Sequence, residues 1–255
     1  MTDEALRQGS STWFQRFLLP GFAFKAVVIG GGYATGRELA EYFLPSGPWG
    51  GLAAILLSTI LFSLVCALTF LFARAVGAQD YRTFFKELLG PAWFIFEAAY
   101  ILFIILILAV YGAAAGAIGA AVFGVAEVWG TITLAAAIIA IVTFGNASVE
   151  RMFVYVSYLL YAVYLLFIVL AFTQFGDRIA AGFAHGGPAT GWVAGGTVYA
   201  GYNLIGAVVV LPIVRHLTSN RDAVIAGAIA GPLAMIPAAL FFTAMIAFYP
   251  AIAGE

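Results

Sequence analysis

Apolar runs of membrane-spanning length follow one another along almost the whole chain, and two of them are interrupted by small and polar residues. The first interruption is Gly30-Gly31-Gly32-Tyr33-Ala34-Thr35-Gly36, followed directly by Arg37 and Glu38. The second is Tyr199-Ala200-Gly201-Tyr202-Asn203. A helix in lipid closes its backbone N–H and C=O groups on itself, because hydrocarbon offers no other partner. A glycine cluster at mid-depth weakens that closure, and it is tolerated where the freed backbone lines a protein cavity. Paired breaks in corresponding places of two halves of a chain point to a solute site near the bilayer midplane.

The membrane assignment rests on composition. Of the 255 residues, 64% are hydrophobic and only 9% charged, with a mean hydropathy of +1.06; a soluble domain has about 25% charged residues. At about 17–25 apolar residues per crossing, the pattern predicts an all-α polytopic membrane protein with seven transmembrane helices. They fall at 15–45, 51–75, 92–122, 129–145, 152–173, 191–216 and 222–249, with the first and sixth broken. The first is too long for one straight crossing and the third implies tilt. Residues 1–14 read as a cytoplasmic tail and 174–190 as an extracytoplasmic loop. The segment 79–90 reads as a short amphipathic surface helix, with Tyr81, Phe84, Phe85 and Leu88 on one face and Arg82 and Lys86 on another.

Placement of the basic residues sets the orientation. Arg7, Arg16, Arg74, Arg82, Lys86, Arg151, Arg215 and Arg221 fall on one side, Arg178 alone on the other, and Lys25 and Arg37 within the first span. This predicts a multi-pass protein of the inner membrane, N-terminus cytoplasmic and C-terminus extracytoplasmic. Asp3 and Glu4 argue against a signal peptide. A net charge of −1 gives no case for nucleic acid. The lone cysteine, Cys66, reads as a packing residue, and no thiolate metal site is expected.

No catalytic constellation is present. His185 and His216 have no metal-ligand spacing, and no nucleophile elbow or Walker loop occurs. GGGYATG follows an apolar membrane segment rather than a strand, so it is not a dinucleotide fingerprint. No retinal-type lysine lies in the last span. The chain reads as a non-enzyme without cofactor or metal. Its partners are the lipid bilayer and a small-molecule solute, and Na+ or H+ is a candidate coupling ion.

Ionisable residues in spans are costly and point to function. Glu38, next to the first break, reads as a site or gate residue. Arg37 and Glu41 are spaced to pair across one turn. Lys25 either snorkels to the surface or couples transport, and Glu97 either snorkels or pairs locally, or couples. In the sixth span Gly195-Gly196 fits close helix packing. Tyr199, Gly201, Tyr202 and Asn203 read as site-lining, together with Gly30, Gly31, Gly32, Tyr33, Ala34, Thr35, Gly36 and Glu38.

GGGYATGRE at 30–38 resembles the GxGFASGQE-type signature of the YkvI-type bacterial membrane proteins, and YAGYN at 199–203 resembles their sixth-helix segment. The resemblance extends over nearly the whole chain in hydropathy and spacing, with Arg37 standing where glutamine is common. It implies the amino acid–polyamine–organocation superfamily and a LeuT-type inverted repeat. In that frame 15–173 is the first five-helix repeat and 191–255 an incomplete second one, lacking the last three core helices. The implied function is secondary transport of an amino acid-like organic solute by alternating access, with a site between spans one, three and six. A second copy or a second polypeptide would supply the missing helices, and the 255-residue chain alone is expected not to catalyse concentrative uptake. The alternative is a non-transporting membrane protein, either a transporter fragment or an assembly or sensory subunit.

Overall fold

The computed structural model describes residues 11–30, 33, 36–187, 189–249 and 251. Gly31, Gly32, Ala34 and Thr35 lie outside the described residues. Among those described, the fold is all helix, with no strand. Four helical stretches are long and apolar enough to cross a membrane: 37–76, 81–123, 147–185 and 220–248. Two shorter apolar helices, Leu19–Val28 and Glu127–Thr143, accompany them. The chain is an all-helical membrane protein.

The elements run α1 Trp13–Phe17, α2 Leu19–Val28, α3 Arg37–Tyr42, α4 Gly47–Val76, α5 Tyr81–Leu89, α6 Trp93–Phe123, α7 Glu127–Thr143, α8 Asn146–His185, α9 Trp192–Asn203, α10 Gly206–Val209 and α11 Asn220–Met245. Short 3-10 turns join several of them, including Leu211–His216 after α10. Local signals set the starts. Thr12 and Gln15 form a capping box at α1, Asp80 accepts from Thr83 N–H at α5, and Ser219 with Asp222 caps α11. The amphipathic surface helix expected at 79–90 corresponds to α5.

The chain forms two compact units, Asp80–Met152 and the remainder, Met1–Gln79 with Phe153–Glu255. The smaller unit is centred on the α6–α7 hairpin, which turns at Gly124 with φ +67. Its interface is built from backbone. A Cβ on Gly116 would meet the Glu127 carbonyl oxygen at 2.7 Å, and Thr131 Oγ1 donates to the Gly112 carbonyl at 2.8 Å. On α5, Arg82 pairs with Glu97 and Lys86 covers the Trp93 ring at 4.7 Å. Glu97 is thus paired within its own unit.

In the larger unit α11 packs along α4 through small residues. Gly227 lies against the Ala67 backbone and Gly231 against Ser63 and the Thr59 carbonyl, the close approach that a small-xxx-small spacing permits. α11 carries Pro232 and Pro237 inside the helix. Each proline removes the N–H that would bond the carbonyl four residues earlier, which frees the carbonyls of Ala228 and Leu233. Both are met from neighbouring helices. Ser63 Oγ donates to Ala228 O at 2.8 Å, and Tyr161 OH donates to Leu233 O at 2.8 Å. Ser63→Ala and Tyr161→Phe are each expected to destabilise the protein by about 1–3 kcal/mol, the cost of leaving a carbonyl of an apolar helix without a partner. Thermal unfolding in detergent checks this, with Thr173→Ala as an exposed hydroxyl control that should change little.

The segment 174–190, expected as a loop, is helical as far as His185, so α8 runs for 40 residues. Phe175, Ile179 and Phe183 recur every four residues and give the extension a packing face. Phe175 meets Phe248 with centroids 5.4 Å apart, Phe183 meets Trp49 at 5.1 Å, and Ile179 is buried. Asp177 and Arg178 take other faces of the helix, and their polarity is what reads as a loop in the sequence.

Candidate functional site around the two helix breaks

The first break separates α2 from α3. α2 ends at Val28, and Ile29 has left helical geometry at φ −77, ψ 82. α3 starts after Gly36, which caps it in the left-handed region at φ +79. A side chain at Gly36 would also collide with the Phe241 ring, so glycine is required there on two counts. Gly30 N–H bonds back only to Val28 O, at 2.9 Å, and Gly36 N–H to Tyr33 O, at 3.0 Å.

The second break is displaced from its expected position. Tyr199–Asn203 is the regular last turn of α9, and the helix stops at Leu204-Ile205 before α10 begins at Gly206. Asn203 turns its amide back onto the Tyr199 carbonyl at 3.1 Å, so it satisfies its own helix. Gly201 faces outward, where a side chain would meet nothing within 4 Å, and does not join the cluster. The two breaks are neighbours: a Cβ on Gly206 would lie 3.2 Å from the Phe24 ring of α2.

Aromatic rings knit the breaks together. Tyr199 is 0% exposed and touches Phe43 at 4.9 Å, Tyr42 at 5.9 Å, Tyr202 at 5.7 Å and Phe62 at 6.1 Å between centroids. Tyr42 also meets Tyr202 at 5.7 Å. Gly195 and Gly196 allow this approach by fitting against the Tyr42 carbonyl and the Ala54 backbone. Ser58 Oγ fastens α4 to α9 by donating to Gly196 O at 2.9 Å.

Within this cluster Glu38 is half-buried, its Oε2 is buried without a hydrogen-bond partner, and the Tyr202 hydroxyl lies beside the carboxylate. The Tyr199 hydroxyl is likewise buried and unpartnered, as is that of Tyr164. Arg37 is exposed, and among the described residues it makes no ion pair with Glu41. Tyr33 is buried and donates to Ala234 O at 3.0 Å, in the turn of α11 that precedes Pro237.

Lys25 does not snorkel. It is 0% exposed, its Nζ donates to Ser157 O at 3.2 Å, and it lies 3.7 Å over the Tyr161 ring. Ser157 Oγ beside it is buried without a partner. Sequence reasoning passed over Ser157, Tyr161 and Tyr164 on α8, Tyr42 at the end of α3 and Phe43 just after it. The three-residue spacing of Tyr155, Tyr158, Tyr161 and Tyr164 was the available signal for a polar stripe on one helix.

The chain is similar to the uncharacterized membrane protein YkvI of Bacillus subtilis (strain 168), at 27% identity over 205 residues. The match takes in 78% of this chain and 58% of that protein, so the chain spans under two thirds of its relative's length. No protein-family model matches the chain, and no solved structure does.

Proposed function

We propose that this chain is a secondary transporter of a small, amino acid-like organic solute, working by alternating access with its site at the paired breaks. It crosses the inner membrane seven times with a cytoplasmic N-terminus, counting the interrupted helices and the short α7 as crossings. We read the arrangement as a LeuT-type inverted repeat whose second half is incomplete within these 255 residues and is supplied by a second copy or a second polypeptide. One observation carries the reading: two interrupted apolar helices meet, and buried polar atoms, Glu38 Oε2 and the Tyr199 hydroxyl, are left without partners where they do. A buried unsatisfied polar group costs about 1–3 kcal/mol, a cost that a polar solute removes on binding.

Solute counterflow tests the proposal. Proteoliposomes are loaded with an unlabelled amino acid or simple amine and given a trace of the same labelled compound outside. Transient accumulation of at least one solute is expected. Folded protein that exchanges none of them would overturn the transport reading, and binding without exchange would favour a sensory or assembly subunit.

A further inference from the structure

We infer that an anionic phospholipid lies along the furrow between α4 and α11, with its phosphate at Arg74 and Arg221 and one acyl chain over the small residues between the two helices. The inference is independent of what the chain transports.

The furrow is the first reason. Thr59, Ser63, Ala67 and Arg74 share one face of α4, and the first three meet α11 at Gly231 and Gly227. Small residues on both helices bring the backbones close, so the seam carries little side-chain bulk. It is not sealed, since Thr59, Ser63 and Ala67 stay partly exposed and Ala228 is exposed. Exposed apolar side chains stand on both banks, Leu64 and Leu68 on α4 and Val224 and Ile236 on α11. The hydroxyl at the bottom, Ser63 Oγ, is already spent on the Ala228 carbonyl. A shallow apolar strip along two membrane-length helices fits an extended acyl chain.

Charge at one end of the strip is the second reason. Arg221 heads the exposed stripe of α11 that continues through Val224 and Ala228. It is exposed, and among the described residues it makes no ion pair. It stands in the first turn of α11, where the helix dipole disfavours a cation, so the helix itself gains nothing from it. Arg74 lies at the same end. Its Nη1 donates to Leu217 O at 2.5 Å and its Nε to Asn220 Oδ1 at 3.3 Å, which holds the guanidinium beside the start of α11. Two of its five N–H donors are used in this way. Between Arg215 and Asp222 the only acid is Asp222 itself, buried and paired with Arg16. The end of the furrow therefore presents positive charge.

The two features together select the ligand. Guanidinium groups match phosphate oxygens in charge and geometry, and basic residues at the ends of membrane helices attract anionic headgroups. A free phosphate would use the arginines and leave the furrow without a role. A neutral lipid would use the furrow and leave the arginines without one.

The test uses the full chain in detergent micelles, with phosphatidylglycerol, phosphatidylcholine of the same acyl chains and inorganic phosphate as probes. The thermal midpoint is the readout. Phosphatidylglycerol is expected to raise the midpoint saturably, phosphatidylcholine less, and inorganic phosphate at matched ionic strength not at all. Arg221→Gln should raise the half-saturating mole fraction of phosphatidylglycerol about fivefold, the worth of one basic residue at an anionic surface. Ala228→Phe, which fills the furrow, should raise it as well. Both positions are exposed, so both variants should keep the lipid-free midpoint. Lys86→Gln removes a basic residue of the smaller unit and should leave the lipid response unchanged. Equal shifts with the two lipids, or a shift reproduced by inorganic phosphate, overturn the inference. So does a response that Arg221→Gln leaves intact, or one that Lys86→Gln weakens as much, which is general charge attraction only. A response sensitive to Arg221→Gln and indifferent to Ala228→Phe overturns the acyl chain's place in the furrow.

Discussion

Replacing Gly231 by leucine is expected to remove most folded protein from the membrane. A Cβ at this position already meets Ser63 Oγ and the Thr59 carbonyl, and backbone cannot step aside as a flexible side chain can. Overpacking costs about 1–3 kcal/mol where neighbours can adjust; here α4 and α11 must move apart along their length. Separation also pulls Ser63 from the Ala228 carbonyl that Pro232 leaves open. Two losses therefore follow from one side chain. Size-exclusion profiles of detergent extracts should show aggregate for Gly231→Leu and a smaller loss for Gly231→Ala. A monodisperse Gly231→Leu protein of normal thermal midpoint would contradict the close α4–α11 contact.

The second large effect is expected at Asp222. This carboxylate, 2% exposed, accepts from Arg16 Nε at 2.9 Å and from the second guanidinium nitrogen at 2.7 Å. It also accepts from the Thr218 hydroxyl at 2.7 Å and from the backbone N–H groups of Thr218 and Ser219. One side chain thus caps α11 and ties it to α1, the helix that leads into the broken span. Asp222→Ala removes its half of the capping box with Ser219 and orphans the N–H groups of Thr218 and Ser219, at a cost of about 2 kcal/mol or more. Arg16→Ala should cost less, because Asp222 keeps its cap partners. If alternating access moves α2, Arg16→Ala also loosens that end, and counterflow should show its exchange rate changed more than its unfolding midpoint. Equal effects of the two substitutions on stability would mean that the cap contributes nothing.

The first break was legible because glycine marks it: Gly36 with its positive φ is a signal that no other residue type gives. The second was legible only to within a few residues. Tyr199–Asn203 carries the polar side chains, yet the chain leaves the helix at Leu204-Ile205, where no breaker stands. Packing of Gly206 against Phe24 accompanies that turn, and a contact between residues so distant in sequence has no local signature. The same holds for the hydroxyls that serve the proline-freed carbonyls. Pro232 and Pro237 announce the vacancies, but Ser63 is 165 residues from Ala228 and Tyr161 is 72 from Leu233. Lys25 misled because a lysine near a helix end ordinarily reaches for water. Here a tyrosine ring and one carbonyl replace the water. The helical extension to His185 was hidden by Asp177 and Arg178, which read as loop until Phe175, Ile179 and Phe183 are seen to share a packing face.

The central claim is that the two breaks face each other across a solute site, and a cysteine pair tests it most directly. Cys66 is the chain's one cysteine and is buried, so a Cys66→Ala background is clean. Tyr42→Cys with Tyr202→Cys, whose rings lie 5.7 Å apart, is then treated in native membranes with a bifunctional thiol cross-linker that spans the space of the two rings removed. Trp49→Cys with Phe183→Cys, at 5.1 Å, serves as the control for a folded unit. The account predicts that both pairs cross-link, and that a solute exchanged in counterflow slows only the Tyr42–Tyr202 pair. Efficient cross-linking of the control with none between positions 42 and 202 would contradict it.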